Sequence, residues 1–267
     1  MGKMSSLGWL DVSNIDFHAL LLLERLHLLY LAQRQPSKAM GTALKAHSAV
    51  QWYFKQTYPP ITAYLDGCLA LGEPNPSQKA LREAEIEVLD SMHDWLIYVL
   101  DPGKYDQLAF LAWDDEELLS MAHFEDKIVL DIGSGTGRLA FAVAPLARVV
   151  YAVEPVANLR RYLWQKREKL GMANVYPADG SITRIPFPEN FADIALAGHV
   201  FGEEPENEYQ EMLRVTRIGG KILLHPGTNA GSEDAAHHFL IDKGFQFDTF
   251  EEPGEGLKRK YWLVKPN

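Results

Sequence analysis

The chain has 267 residues, 47% of them hydrophobic and 23% charged, a globular composition with room for one large domain or two modest ones. Its 26 Lys plus Arg face 36 Asp plus Glu, and the formal charge of -10 disfavours non-specific nucleic-acid binding and a polybasic membrane surface. One cysteine, Cys68, excludes an intrachain disulfide framework and any multi-cysteine metal site, and it fits a cytoplasmic protein.

The most apolar stretch, residues 19–32, is interrupted by Glu24, Arg25 and His27 and is too short to span a bilayer. Leucines at helical spacing predict an amphipathic helix over 17–34, stopped by Pro36. A second helix is expected over 42–56 with Thr42 as its cap, broken by Tyr58-Pro59-Pro60. Asp66-Gly67 and the stretch 72–76 read as loops flanking a short apolar helix. Ser77 is the expected cap of a long helix reaching Leu100, and Asp114 with Glu117 resembles a capping box for a helix over 115–124. Trp52, Tyr53, Phe54, Tyr58 and Tyr64 form an aromatic group suited to core packing or to an acceptor pocket. Residues 1–120 are thus expected to be an all-helical region. They hold nine Lys plus Arg against sixteen Asp plus Glu, which assigns seven of the ten excess negatives to them.

From Lys127 the texture changes to short apolar runs alternating with helices, the signature of an α/β domain built on a parallel sheet. Strands are predicted at 128–132, 149–153, 175–177, 194–198 and 221–225, and helices at 138–144, 155–170, 207–216 and 232–243. Two final strands are expected over 245–250 and 260–264.

The decapeptide Val129-Leu130-Asp131-Ile132-Gly133-Ser134-Gly135-Thr136-Gly137-Arg138 runs from an apolar strand through three alternate glycines into a helix. Missing Cβ atoms let backbone approach a ligand, and free amides at the helix start remain available to it. A dinucleotide fingerprint would place glycine where Arg138 stands, which turns the reading away from NAD.

This motif resembles the first motif of class I S-adenosylmethionine-dependent methyltransferases, and the resemblance extends over roughly residues 105–267. Val150 to Pro155 resembles the second strand, ending in the acid that binds ribose hydroxyls. Ala178-Asp179-Gly180-Ser181 resembles the loop that meets adenine. The segment 185–193 resembles the family's "lPFpdnsFD" stretch, and 211–221 its helix–turn before strand five, with Ile218 in place of the usual proline. The resemblance implies a Rossmann-like, doubly wound, mostly parallel seven-stranded sheet with an antiparallel last strand, in a domain 121–267 behind the helical region 1–120. It implies S-adenosyl-L-methionine as cofactor, with S-adenosyl-L-homocysteine as product. Cofactor contacts are expected from Asp131, Gly133, Ser134, Gly135, Gly137, Glu154, Pro155, Asp179, Gly180 and Ser181, and from Tyr105 and Trp113 just before the glycine strand.

The broad branch that includes quinone C-methyltransferases is the nearest in flavour, and the segment after strand four lacks the D/N-P-P-Y/F motif of exocyclic-nitrogen enzymes. A small-molecule methyl acceptor is therefore expected, with nucleic acid and membrane disfavoured and the protein a monomer or homodimer. His199, Glu203 and His225 are the candidate catalytic residues, standing near the carboxyl ends of strands four and five. His237-His238 is read as a surface pair and no metal is expected, because adjacent helical side chains point about 100° apart. A non-catalytic cofactor-binding protein, or a methyltransferase acting on protein or RNA, is the alternative.

Overall fold

The computed structural model describes residues 10–231 and 234–266, and the chain divides into two compact units between Tyr105 and Asp106 rather than after residue 120. Side chains explain why 106–120 belong with the second unit. Asp106 accepts from the Tyr162 hydroxyl at 2.9 Å and from the Lys166 ammonium at 2.7 Å. Arg138 donates to the carbonyls of Leu111 and Trp113 and pairs with Asp115 at 2.6 Å.

The helical unit has more breaks than its periodicity predicts. Residues 17–34 split into a 3-10 turn, Phe17–Leu22, and α1, Arg25–Ala32, because Leu23 is extended and the Glu24 amide donates to His27 Nδ1 at 3.0 Å. The apolar period survives because Leu20, Leu23, Leu28 and Leu31 all turn inward on both sides of the break. The second helix is two: α2, Lys38–Ala46, capped by the Ser37 hydroxyl, and α3, Ser48–Thr57, with His47 at the joint. Thr42 lies inside α2, and its hydroxyl accepts from the Glu73 amide at 2.9 Å.

Asp66-Gly67 is no loop; α4, Thr62–Leu71, runs through it. Ser77 does cap α5, Gln78–Asp90, but the chain turns at Ser91 before α6, His93–Leu100, and α7, Pro102–Tyr105, starts where a stop was expected. Proline suits that first turn because its missing N–H needs no partner there. The aromatic run does not converge: on α3 Phe54 is buried whereas Trp52 is 65% exposed.

The second unit begins with α8, Glu116–Leu119, shorter than expected. Strands β1, Ile128–Ile132, and β2, Val149–Val153, fall at their predicted limits. β3, Val175–Ala178, β4, Ala192–Ala197, and β5, Thr216–Leu224, follow, then the hairpin β6, Gln246–Glu252, and β7, Gly256–Val264. Between them lie α9, Arg138–Val143, α10, Ala157–Leu170, α11, Pro205–Val215, and α12, Ala235–Asp242. The predicted start of that last helix, Ser232, lies outside the described residues.

The seven strands form one sheet in the order β3-β2-β1-β4-β5-β7-β6, with β7 antiparallel to both its neighbours. Apolar side chains alternate across it, Val129, Leu196 and Leu223 packing one face and Leu130, Ala195 and Ile222 the other. The strand order reverses between β1 and β4, and in open α/β sheets ligands bind beyond the carboxyl ends at such a switch point.

Candidate active site

Beyond β1 the chain turns through Gly133, Gly135 and Gly137, all left-handed, at φ 71, 54 and 87. The amides of Gly133 and Ser134 both donate to the Val153 carbonyl, and Ser134 Oγ donates to the Asp131 carbonyl at 2.7 Å. The loop is thereby pinned to the ends of β1 and β2.

Asp131 is fully buried behind it. Its Oδ2 accepts from the Ala140 amide at 2.9 Å, which ties β1 to α9, while Oδ1 and the buried Thr136 hydroxyl find no hydrogen-bond partner among the described residues. Burial pushes the Asp131 carboxyl up to about 7, against the opposing pull of the Ala140 amide, and the Glu154 charge adds to the rise. The native state then holds a proton that the unfolded chain has lost, so this group's contribution to stability falls as pH rises from about 4 through 7. Urea unfolding at pH 5 and pH 8 should show that Asp131→Asn gains on wild type at the higher pH. An equal gap at both values would refute the assignment.

Glu154, at the end of β2, is also buried. Its two oxygens accept from the amides of Gly135, at 2.9 Å, and Val156, at 2.8 Å, so the acid spans the glycine loop and the entry to α10. Arg160 of α10 donates to the carbonyls of Glu154 and Pro155 and pairs with Asp179 at 2.9 Å, bridging the ends of β2 and β3. Gly180 is required next to Asp179: a Cβ there would lie 2.6 Å from Pro186 and 2.9 Å from Val153. Ser181 stands 3.2 Å from the Thr183 hydroxyl.

Trp113 is buried under the Arg138 guanidinium, 3.7 Å from its ring centre, and edge-on to His225 at 4.4 Å. Tyr105 belongs to the helical unit, where its ring meets Tyr98 edge-on.

The three candidate catalytic residues part company. His225 is 1% exposed between Trp113 and Phe250, and neither ring nitrogen has a hydrogen-bond partner among the described residues. Burial, with the nearby charges of Lys260 and Arg138, drives its pKa down to about 3, which leaves a neutral, weakly basic ring. Glu203 is exposed in the loop before α11. His199, just past β4, is left-handed at φ 59, and its Nε2 lies 2.8 Å from Oε1 of the fully buried Glu252.

Sequence reasoning missed Glu252, which read as a turn acid 53 residues away; it also missed Arg160 and the bracing role of Arg138. The expectation for His237 is corrected as well. It is buried on α12 with Leu240 one turn on, and its Nδ1 is 2.9 Å from the Tyr261 hydroxyl; only His238 is exposed. Among the described residues no group of three His, Cys, Asp or Glu is placed to hold a metal ion, and no helix is long and apolar enough to cross a membrane.

Residues 130–224 match the family described as "Methyltransferase domain". An uncharacterised methyltransferase of Anoxybacillus flavithermus is 28% identical over 143 residues, covering 52% of this chain and 64% of that protein. A demethylmenaquinone methyltransferase of a Geobacillus species is 31% identical over 119 residues, 42% of this chain and 50% of the relative. The chain thus spans half to just under two thirds of these two relatives. Among solved structures, a methyltransferase of Haloferax volcanii bound to its Trm112 activator shares the fold, with a TM-score of 0.51, 12% identity and coverage of 62% of this chain and 94% of that one.

Fold and sequence agree: residues 130–224 match the methyltransferase-domain family, and they lie in a unit, 106–267, whose seven-stranded sheet has the Rossmann-like order of S-adenosylmethionine-dependent methyltransferase folds. The cofactor of that family is S-adenosylmethionine, and the residues present fit it. The close backbone path of the loop depends on glycine: a Cβ on Gly133 would fall 2.5 Å from Val200 and one on Gly137 2.6 Å from Phe141, and both are left-handed. Beside it, the unpartnered Asp131 and Thr136 oxygens suit a ligand that brings its own ammonium and hydroxyl donors.

Proposed function

We propose that the protein transfers a methyl group from S-adenosylmethionine to a small-molecule acceptor. The observation that carries this reading is the left-handed glycine loop between β1 and α9, with the buried Asp131 Oδ1 behind it left without a partner among the described residues. Gly133, Ser134, Gly135 and Gly137 hold the methionine part through backbone, and Trp113 is the proposed aromatic contact. Glu154 with Pro155 serves the ribose, and Asp179, fixed by Arg160, serves the adenine amine with Gly180 and Ser181 flanking the ring. When bound, the cofactor supplies an electrophilic methyl carbon on an excellent leaving group. The chain's own residues then need to align the acceptor and exclude water, and to remove a proton where the acceptor carries one.

The acidic charge of the second unit and the absence of a nitrogen-methylation motif after β4 support a small acceptor over nucleic acid. The sequence likeness to a demethylmenaquinone methyltransferase supports an aromatic one. Calorimetric titration of the full chain with S-adenosylmethionine is expected to show one site per chain, with S-adenosylhomocysteine accumulating when aromatic acceptors are added. Absence of binding heat sinks the reading, and binding without turnover over a broad panel makes the protein a non-catalytic binder.

A further inference from the structure

We propose that His199 is the proton acceptor in the transfer step, that Glu252 positions it, and that the methyl acceptor is therefore a protic nucleophile, a hydroxyl that must lose its proton. The proposal deepens the methyltransferase reading and rests on it.

Several features converge on this histidine. Its backbone is left-handed, a conformation that side chains with a Cβ adopt only where the surroundings impose it, and such residues cluster at functional sites. The His199 amide donates to the Pro226 carbonyl at 3.1 Å, which clips the loop after β4 to the end of β5. The ring then meets Glu252 from the far hairpin at 2.8 Å. A carboxylate only accepts, so Nε2 carries the hydrogen and Nδ1 keeps its lone pair. The side chain of His199 remains 37% exposed while that of Glu252 is fully buried, so a ligand reaches the imidazole and not its partner.

Lys258 of β7, 3.3 Å from the other carboxylate oxygen, offsets the buried negative charge. Three charged or titratable neighbours have other engagements. Lys260 is engaged by Glu117 at 2.6 Å, Arg138 by Asp115, and His225 is held neutral. His199 is thus a part-exposed imidazole whose Nε2 is committed to Glu252.

That arrangement is superfluous for an acceptor already ionised, such as a thiolate or carboxylate, and it is matched to one that must be deprotonated. In the step itself, Nδ1 of His199 takes the hydroxyl proton as the acceptor oxygen bonds to the methyl carbon. The carbon–sulfur bond breaks with its electron pair staying on sulfur, and the proton later leaves the imidazolium to solvent.

The test begins with a readout that needs no turnover: nitrogen NMR of the full chain labelled in its histidine rings, with the His199 signals assigned by their loss in His199→Asn. The neutral ring is expected as a single Nε2–H tautomer in wild type and as a mixture in Glu252→Gln. A mixed or Nδ1–H tautomer in wild type overturns the positioning role, and it does so whether or not the glutamine variant folds. Turnover is then compared on a panel of phenols and enols and on thiophenol, which ionises unaided. His199→Ala should lose about 100-fold in kcat on the hydroxyl acceptors and less than about threefold on the thiol, and Glu252→Gln about tenfold on hydroxyls with KM for S-adenosylmethionine unchanged. Equal losses on both acceptor classes, or turnover of the thiol with none of the hydroxyls, overturn the proposal. Failure of S-adenosylmethionine to bind at all overturns the methyltransferase reading instead, leaving the tautomer result to stand by itself.

Discussion

Gly133→Ala is expected to weaken S-adenosylmethionine binding about 100-fold, and Val200→Ala in the same chain to restore part of the loss. Two costs add at this position. An L-residue at φ 71 is disfavoured by about 1–2 kcal/mol. The new Cβ also lies 2.5 Å from Val200 Cγ1 and 3.1 Å from Cγ2, so the loop after β4 or the glycine loop must shift. Because the Gly133 and Ser134 amides are both held by the Val153 carbonyl, a shift here moves the backbone proposed to cradle the methionine. Truncating Val200 removes the contact and leaves the backbone cost, which weakens binding by at most roughly 5- to 30-fold, to the extent that the free loop relaxes away from the left-handed conformation. Calorimetry on the single and double variants measures both parts. Unchanged affinity in Gly133→Ala would refute the placement of the cofactor.

The parts of the fold that were legible are those in which local pattern and tertiary role coincide. β1 and β2 are central and largely buried, so four apolar residues out of five in β1 and all five in β2 mark each almost to the residue. The helical unit was harder because its breaks do not interrupt the apolar period. At Leu23 and His47 the chain leaves the helix without glycine or proline, and neither a glutamate capped through a histidine nor a histidine at a joint carries a standard signal. In the site, the glycine loop and the acid after β2 could be read because their spacing is local. The His199–Glu252 pair could not, since the loop after β4 meets the end of β6 only once the hairpin has folded back beside β5.

The boundary between the units changes the electrostatic reading. Asp106 and the run Asp114 to Glu117 lie in the second unit, not the first. Residues 1–105 therefore carry nine Lys plus Arg against eleven Asp plus Glu, and residues 106–267 carry seventeen against twenty-five. The acidity expected of the helical region belongs to the second unit. Part of it is structural: Asp106, Asp115 and Glu117 brace Lys166, Arg138 and Lys260, fixing the segment before β1 onto the sheet's helices and its antiparallel strand.

Gly41→Ala is expected to destabilise the protein by about 3 kcal/mol, lowering Tm by roughly 6–12 °C, although alanine is the better helix former. Replacing a mid-helix glycine by alanine ordinarily gains about 1 kcal/mol. Here α2 crosses α4 with their backbones in contact. A Cβ on Gly41 would fall 1.8 Å from the Cys68 carbonyl oxygen and 3.0 Å from Gly72 Cα, and one on Gly72 would fall 2.3 Å from the Gly41 carbonyl carbon. The obstructing atoms are helix backbone, not a flexible side-chain end, and the Cys68 carbonyl is already committed to the Gly72 amide at 3.0 Å. Relief therefore requires α2 and α4 to separate, opening the packing around Ala39, Ala43 and Leu65, which outweighs the propensity gain. Gly171→Ala is the control: it is left-handed at φ 68 with nothing within 4 Å of the added Cβ, so it should cost only about 1–2 kcal/mol. Thermal and urea unfolding of the two variants distinguish the cases, and a Gly41→Ala protein as stable as wild type would show that the helices do not cross at this distance.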